Sequence, residues 1–219
     1  MSRAVPETLP AAVEHFRSGG PVLIHDAADR EGETDLMYPA TAVTPRAIAR
    51  MRNEAGGLIC VALPDEVADA FDLPFLHAAL DHSAAAGHDV AYDERASFSI
   101  SVNHRETRTG ITDRDRARTI GALGEAAAAP GETVFAETFR APGHVHLLRA
   151  APGLLAEREG HTELGLALAR AASVPPAVAL CEMLDDETGE ALSPTDAQAY
   201  ARRHEYPYLE ATALHALEF

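Results

Sequence analysis

The sequence predicts one layered domain of alternating strands and helices, α/β or α+β, built on a largely buried sheet. Three observations lead there. Short apolar runs bounded by turn residues alternate with segments of helical periodicity along the whole chain. The runs PVLIHD, LICVAL and PAVALCE are apolar on successive residues, as in strands covered on both faces. No long linker or internal repeat divides the 219 residues, a length that suits one domain burying about 70% of its unfolded surface.

The elements follow in order. Pro6 to Arg17 has helical spacing and closes on Ser18-Gly19-Gly20, after which PVLIHD reads as a strand. Ala27 to Asp35 is a charged loop followed by an apolar strand. Thr44-Pro45 supplies a cap and a first-turn proline for a helix ending at Gly56-Gly57, and LICVAL is the next strand. HAALDHSAAAGHD fits an exposed helix and loop. Ser97 to Val102 alternates as a strand does, and His104 to Asp115 is a second charged loop. Thr112 caps a helix to Ala129 whose first turn carries aspartates. His144 to Leu148 reads as a strand, Gly160 to Ala172 as a helix and Pro176 to Glu182 as a strand. Ser193-Pro194 opens the last helix, and Tyr206 to Leu209 forms a short final strand.

Composition narrows the chemistry. Eighteen basic residues against 34 acidic ones give a net charge of −16, which repels a nucleic-acid backbone. All the basic side chains are arginines; no lysine occurs, which excludes lysine Schiff bases, lysine-bound pyridoxal phosphate and the Walker phosphate loop. An acid-rich, lysine-free surface is also what a salt-loaded cytoplasm favours, so a halophilic source is expected, the alternative being a coding bias that swaps lysine for arginine. Cys60 and Cys181 end separate apolar runs, which fits free thiols in a reducing compartment. With no signal-like N-terminus and no run of about 18 apolar residues, a soluble cytoplasmic protein without membrane contact is expected.

Two clusters stand out. In Asp29-Arg30-Glu31-Gly32-Glu33-Thr34-Asp35 an extended backbone puts Glu31, Glu33 and Asp35 on one face. Three such carboxylates bind a hard cation, serve as acids with raised pKa, or belong to a merely solvated loop. Gly32 and the apolar strand that follows favour a positioned turn. The second cluster, Arg158-Glu159-Gly160-His161-Thr162-Glu163, opens a helix. Its backbone N–H groups and Arg158 form a lysine-free phosphate site, or else the turn is a plain cap. His144 and His146 share a strand face without metal-ligand spacing specific enough to claim zinc. The tract from Thr109 holds an anion or caps its helix.

In this order the segments DREGETD, GGLICVAL, FSISVNHRETRTGITDRDRARTI, APGHVHLLRA, REGHTELGLALARAA and PPAVALCEML resemble the 3,4-dihydroxy-2-butanone 4-phosphate synthase family over nearly the whole chain. The resemblance implies an α+β fold, a single-domain α/β/α sandwich with a mixed sheet. It also implies a Mg²⁺-dependent (or Mn²⁺-dependent) lyase of riboflavin biosynthesis with two ions in the site, converting D-ribulose 5-phosphate to L-3,4-dihydroxy-2-butanone 4-phosphate and formate. Glu31 and His161 match metal ligands. Arg30, Glu31, Asp35, Thr109, Arg158, Glu159, Gly160, His161, Thr162 and Glu182 match substrate contacts, and Glu33, Asp35, His144, Glu182 and Cys60 match catalytic positions. A homodimer with the active site near the subunit interface is implied as well.

The sequence departs from the family pattern at Ala27-Ala28, where acids are usual, and at His146 and Leu148, where an aromatic residue and proline are usual. Neither change removes a matched metal or substrate position. The rival readings are another divalent-metal sugar-phosphate enzyme, an aldolase or isomerase, and a noncatalytic sugar-phosphate-binding relative. Formate release separates all three.

Overall fold

The structure is a computed structural model that describes residues 8–26, 31–85, 95–215 and 217. In chain order its elements begin with α1 (Leu9–Arg17), β1 (Val22–His25), β2 (Thr34–Pro39), α2 (Pro45–Glu54), β3 (Cys60–Leu63), α3 (Asp65–Ala70), α4 (Leu76–Ala79) and β4 (Phe98–His104). They continue with α5 (Asp113–Ala128), α6 (Phe135–Thr138), β5 (Phe139–Arg149), α7 (His161–Ala172), β6 (Val178–Glu182), α8 (Pro194–His204), β7 (Tyr208–Glu210) and α9 (Ala211–Leu214). The hydroxyls of Thr44, Thr112 and Ser193 accept from the first-turn amides of α2, α5 and α8, as the cap residues require.

The seven strands form one mixed sheet in the order β4-β5-β3-β6-β2-β1-β7. β3 runs parallel to β5 and β1 to β7, and the other neighbours are antiparallel. Strand alternation splits the core in two. Leu36, Val61, Leu147 and Cys181 face Ile48 and Met51 of α2, Ile120 and Leu123 of α5 and Tyr200 of α8. Met37, Cys60, Leu148 and Leu180 face Phe16 of α1, Leu164 and Leu168 of α7 and Leu214 of α9. Helices therefore cover both faces, the three-layer α/β/α sandwich expected. Every residue of β1, β2 and β3 is buried, which is why those runs lack polar alternation.

Several sequence-based boundaries shift. The acidic loop yields to strand at Thr34, so Thr34 and Asp35 are fully buried ladder residues of β2; the first part of that loop, Ala27 to Arg30, lies outside the described residues. β5 starts at Phe139, five residues before the apolar run, because the Ala-Pro-Gly that disguises it falls in a register shift, between the pairs Val102–Val145 and Asn103–Arg140 with β4. α3 was not foreseen; it is a six-residue helix in which Val67 and Ala68 are buried. No helix among the described residues is long and apolar enough to cross a membrane.

One packing detail carries a pH prediction. The His15 ring of α1 lies against Gly20, its Nε2 is buried without a hydrogen bond among the described residues, and it faces the Tyr206 ring 6.2 Å away. Burial lowers its pKa from the ordinary 6.5, so the unfolded chain binds the proton more readily than the folded one. Stability is thus undiminished by this group above pH about 6.5 and declines as the pH falls below it. Thermal melts from pH 8 to 5 are expected to show that decline and to show less of it in His15→Phe. Parallel curves would refute it.

Candidate active site

The sheet brings two acids together at one end. Asp35, at the start of β2, is the register partner of Glu182, at the end of β6. Partnered residues in adjacent strands point to one face, here the face covered by α7. Cys60 of β3 pairs with both Leu180 and His146, so Cys60 and His146 share that face, and His144, two residues from His146, shares it too.

α7 delivers the imidazole. His161 stands in its first turn, 5% exposed, with Nδ1 2.9 Å from Glu31 Oε2 and Nε2 3.1 Å from Asp35 Oδ2. Asp26, at the end of β1, lies 3.8 Å from the same Nε2. The Asp26 carboxylate accepts the Glu31 and Glu33 amides at 3.2 and 2.9 Å, clamping the turn after β1, in which Gly32 has φ +70°. Asp26, Glu31 and His161 present ligand atoms within 4.8 Å of one another, and among the described residues they are the group with metal-ligating geometry. Asp26 is an addition to the expected pair. It sits at the end of a buried strand, as Glu182 does, and that placement in PVLIHD was the signal available.

The electrostatics of this crowding are severe. Burial, then Glu182 and Glu31, raise the Glu33 pKa. Burial pushes Asp35 up to about 6, with Glu31 and Glu33 adding to it against the opposing pull of His161. Burial and then Asp35 raise Glu182 to about 7. For His161 burial works against the charge, yet Asp35, the Glu31 hydrogen bond and Asp26 outweigh it and carry the ring to about 10. Both Asp35 oxygens are buried without a hydrogen bond among the described residues. A set of carboxylates short of positive charge, with one imidazole, suits a hard divalent cation.

Beside it lies the α7 N-terminus, whose cap residue, Gly160, has no side chain with which to cap it. The guanidinium of Arg158 lies over Gly160 so closely that a Cβ there would sit 2.1 Å from Nη1. Arg158 Nη1 donates to Glu163 Oε2 at 2.7 Å, and Glu163, fully buried, also accepts the Ala151 amide at 2.9 Å. Glu163 was missed by the sequence reading as anything beyond a first-turn acid. The N-terminus of a helix and an anchored arginine beside it make an anion site.

Other expected residues fall elsewhere. The Glu159 carboxylate points to His215, 3.5 Å away. Thr109 is exposed beside β4; its amide and hydroxyl, with the Gly110 amide, engage Asp115 Oδ2. Thr162 is buried in the first turn of α7. Burial, then Glu182 and Asp35, hold the Cys60 thiol well above the ordinary cysteine range, so it stays protonated. Cys181 faces the other layer, and both thiols are free. Arg30 is outside the described residues.

Comparison with known proteins identifies the family. The family model described as 3,4-dihydroxy-2-butanone 4-phosphate synthase matches residues 10–217. A synthase of that name from Archaeoglobus fulgidus is 48% identical over 211 residues, covering 91% of this chain and 89% of the relative. One from Methanosarcina acetivorans is 47% identical, covering 93% and 88%. A crystal structure of the synthase in complex with two magnesium ions superposes with a TM-score of 0.82 at 31% identity, covering 95% of each chain. With the family model, the relatives and the fold all in agreement, the chain belongs to the 3,4-dihydroxy-2-butanone 4-phosphate synthase family of riboflavin biosynthesis.

Proposed function

We propose that this protein converts D-ribulose 5-phosphate to L-3,4-dihydroxy-2-butanone 4-phosphate and formate as a magnesium- or manganese-dependent lyase. The observation that carries the reading is the meeting of Glu31 and His161 at 2.9 Å although 130 residues separate them. Glu31 and His161, with Asp26 beside them, would hold the cation, two ions per site by analogy with the relative. When bound, a divalent cation supplies charge stabilisation to developing oxyanions and polarises the oxygens it touches.

The chain's own groups handle protons and orientation. The ketose must lose a proton beside its carbonyl, pass through an enediol, shed water, rearrange its skeleton and expel one carbon as formate. Asp35 and Glu182, pushed to about 6 and about 7, can each take and return a proton near neutrality. Glu33 and His144 join them as proton carriers, and Cys60 contributes as a neutral thiol on the same face. Burial of Asp35 and His161 keeps bulk water away from these exchanges. Arg158, with the turn from Glu159 through Thr162, grips the phosphate; Glu159 contributes through its backbone, since its carboxylate is turned away. Arg30 and Thr109 complete the substrate contacts on sequence grounds. The expected test is direct: with ribulose 5-phosphate and Mg²⁺ the protein releases formate in a one-to-one ratio with the butanone phosphate. Consumption of substrate without formate, or none at all, would overturn the reading.

Arg158→Lys is expected to raise KM about tenfold with kcat little changed, because an ammonium cannot keep both the Glu163 pair and a planar grip on phosphate. An unchanged KM in initial-rate assays would refute the phosphate role. The protein is further proposed to work as a homodimer with the site near the interface, in a halophilic cytoplasm. For a net charge of −16, melts at low salt are expected to show early unfolding that potassium chloride reverses. Indifference to salt would count against the saline setting.

A further inference from the structure

We infer that Asn103 is the positioning residue of His144, holding its imidazole by Nδ1 so that Nε2, carrying the proton, is the nitrogen presented to substrate. This rests on the reading of His144 as an active-site group. Asn103 is a β4 residue, 4% exposed, and neither its type nor its strand position marks it in the sequence.

Three contacts define the geometry. The His144 main-chain N–H donates to Asn103 Oδ1 at 2.9 Å, which settles which end of the amide is oxygen. Nδ2 then stands 3.2 Å from His144 Nδ1, and Oδ1 slightly farther, at 3.3 Å, with one lone pair already engaged. Nδ2 can only donate, so Nδ1 is the acceptor and the neutral ring carries its proton on Nε2.

The amide cannot turn away. A Cβ on Gly110 would sit 2.1 Å from Asn103 Nδ2, so the 105–112 loop is seated directly on the carboxamide. That loop is itself tied down where the Gly110 amide donates to Asp115 Oδ2 at 2.9 Å. On the other side Gly143 is pressed against the β4 backbone at Val102 and Asn103. Backbone, loop and amide thus fix one ring orientation at a residue that is itself exposed.

Long-range ¹⁵N–¹H spectra of the full-length protein test this without reference to turnover. In the wild type at pH 8, His144 is expected to show an unprotonated Nδ1 and a protonated Nε2. A protonated Nδ1, or the averaged pattern of a free imidazole, overturns the inference. Asn103→Asp replaces the donor with an acceptor and is expected to move the proton to Nδ1; Asn103→Ala is expected to give the averaged pattern. In formate assays both variants should lose about tenfold in kcat with KM unchanged, the worth of one ordinary hydrogen bond. Unchanged kcat in both would also overturn it. Because the wild-type spectrum is read without substrate, it stands even if formate release is not found.

Discussion

Glu31→Gln is expected to lower formate production by about a thousandfold or more, the scale on which a single group stabilising developing charge matters. The substitution keeps the shape of a side chain that is 14% exposed while removing the charge facing His161 Nδ1 across 2.9 Å. The fold should persist, with a melting temperature within a few degrees of wild type. His161→Ala should be equally inactive but less stable without metal. The imidazolium, with its pKa near 10, is the positive group set among Asp35, Glu31 and Asp26, and its loss leaves buried carboxylates unpaired. Calorimetric titration with Mg²⁺ should show weakened binding in both variants. Wild-type rates in either one would dismantle the assignment of the site.

Gly143→Ala is expected to be the most damaging single-methyl change for stability. A Cβ at this position of β5 would sit 1.9 Å from the carbonyl carbon of Val102 and 2.3 Å from the Asn103 nitrogen, both main-chain atoms of β4 that cannot move alone. Overpacking of this kind costs about 3 kcal/mol or more, which in a chain of this length lowers the melting temperature by about 6–12 °C. Activity should fall with it, since His144 is the next residue. Gly121→Ala is the control: nothing lies within 4 Å of its Cβ, it sits inside α5, and alanine there should stabilise by up to about 1 kcal/mol. Thermal melts of the two variants side by side decide the matter; equal melting temperatures would contradict the close approach.

The alternation of elements was legible because PVLIHD, LICVAL and PAVALCE are apolar enough to be strands wherever they occur, and because Thr44, Thr112 and Ser193 cap as their chemistry demands. The clustering of Glu31, Asp35 and His161 was legible only through the family resemblance. Nothing in local patterning says that residues 31 and 161 meet. Thr34 and Asp35 misled because polarity at a strand start reads as loop; here tertiary structure buries both, Asp35 beside His161 of α7 and Thr34 beside the His25 ring of β1. Asn103 and Glu163 escaped notice because each acts on a neighbour in space, His144 in one case and Arg158 in the other. Strand order was beyond reach for the same reason.

That order also bears on how the chain comes off the ribosome. β1 and β2 are made first and joined as a hairpin, yet the route from β2 to the rest of the sheet runs through β6, some 140 residues later by register. Until then the nascent hairpin presents an unsatisfied edge and the apolar side chains of Leu36 and Met37 to its surroundings. Assembly is therefore dominated by late, distant pairing, which is slow and exposed to aggregation. Variants that weaken β6 should show their damage first as poor yield of folded protein, before any defect in catalysis can be measured.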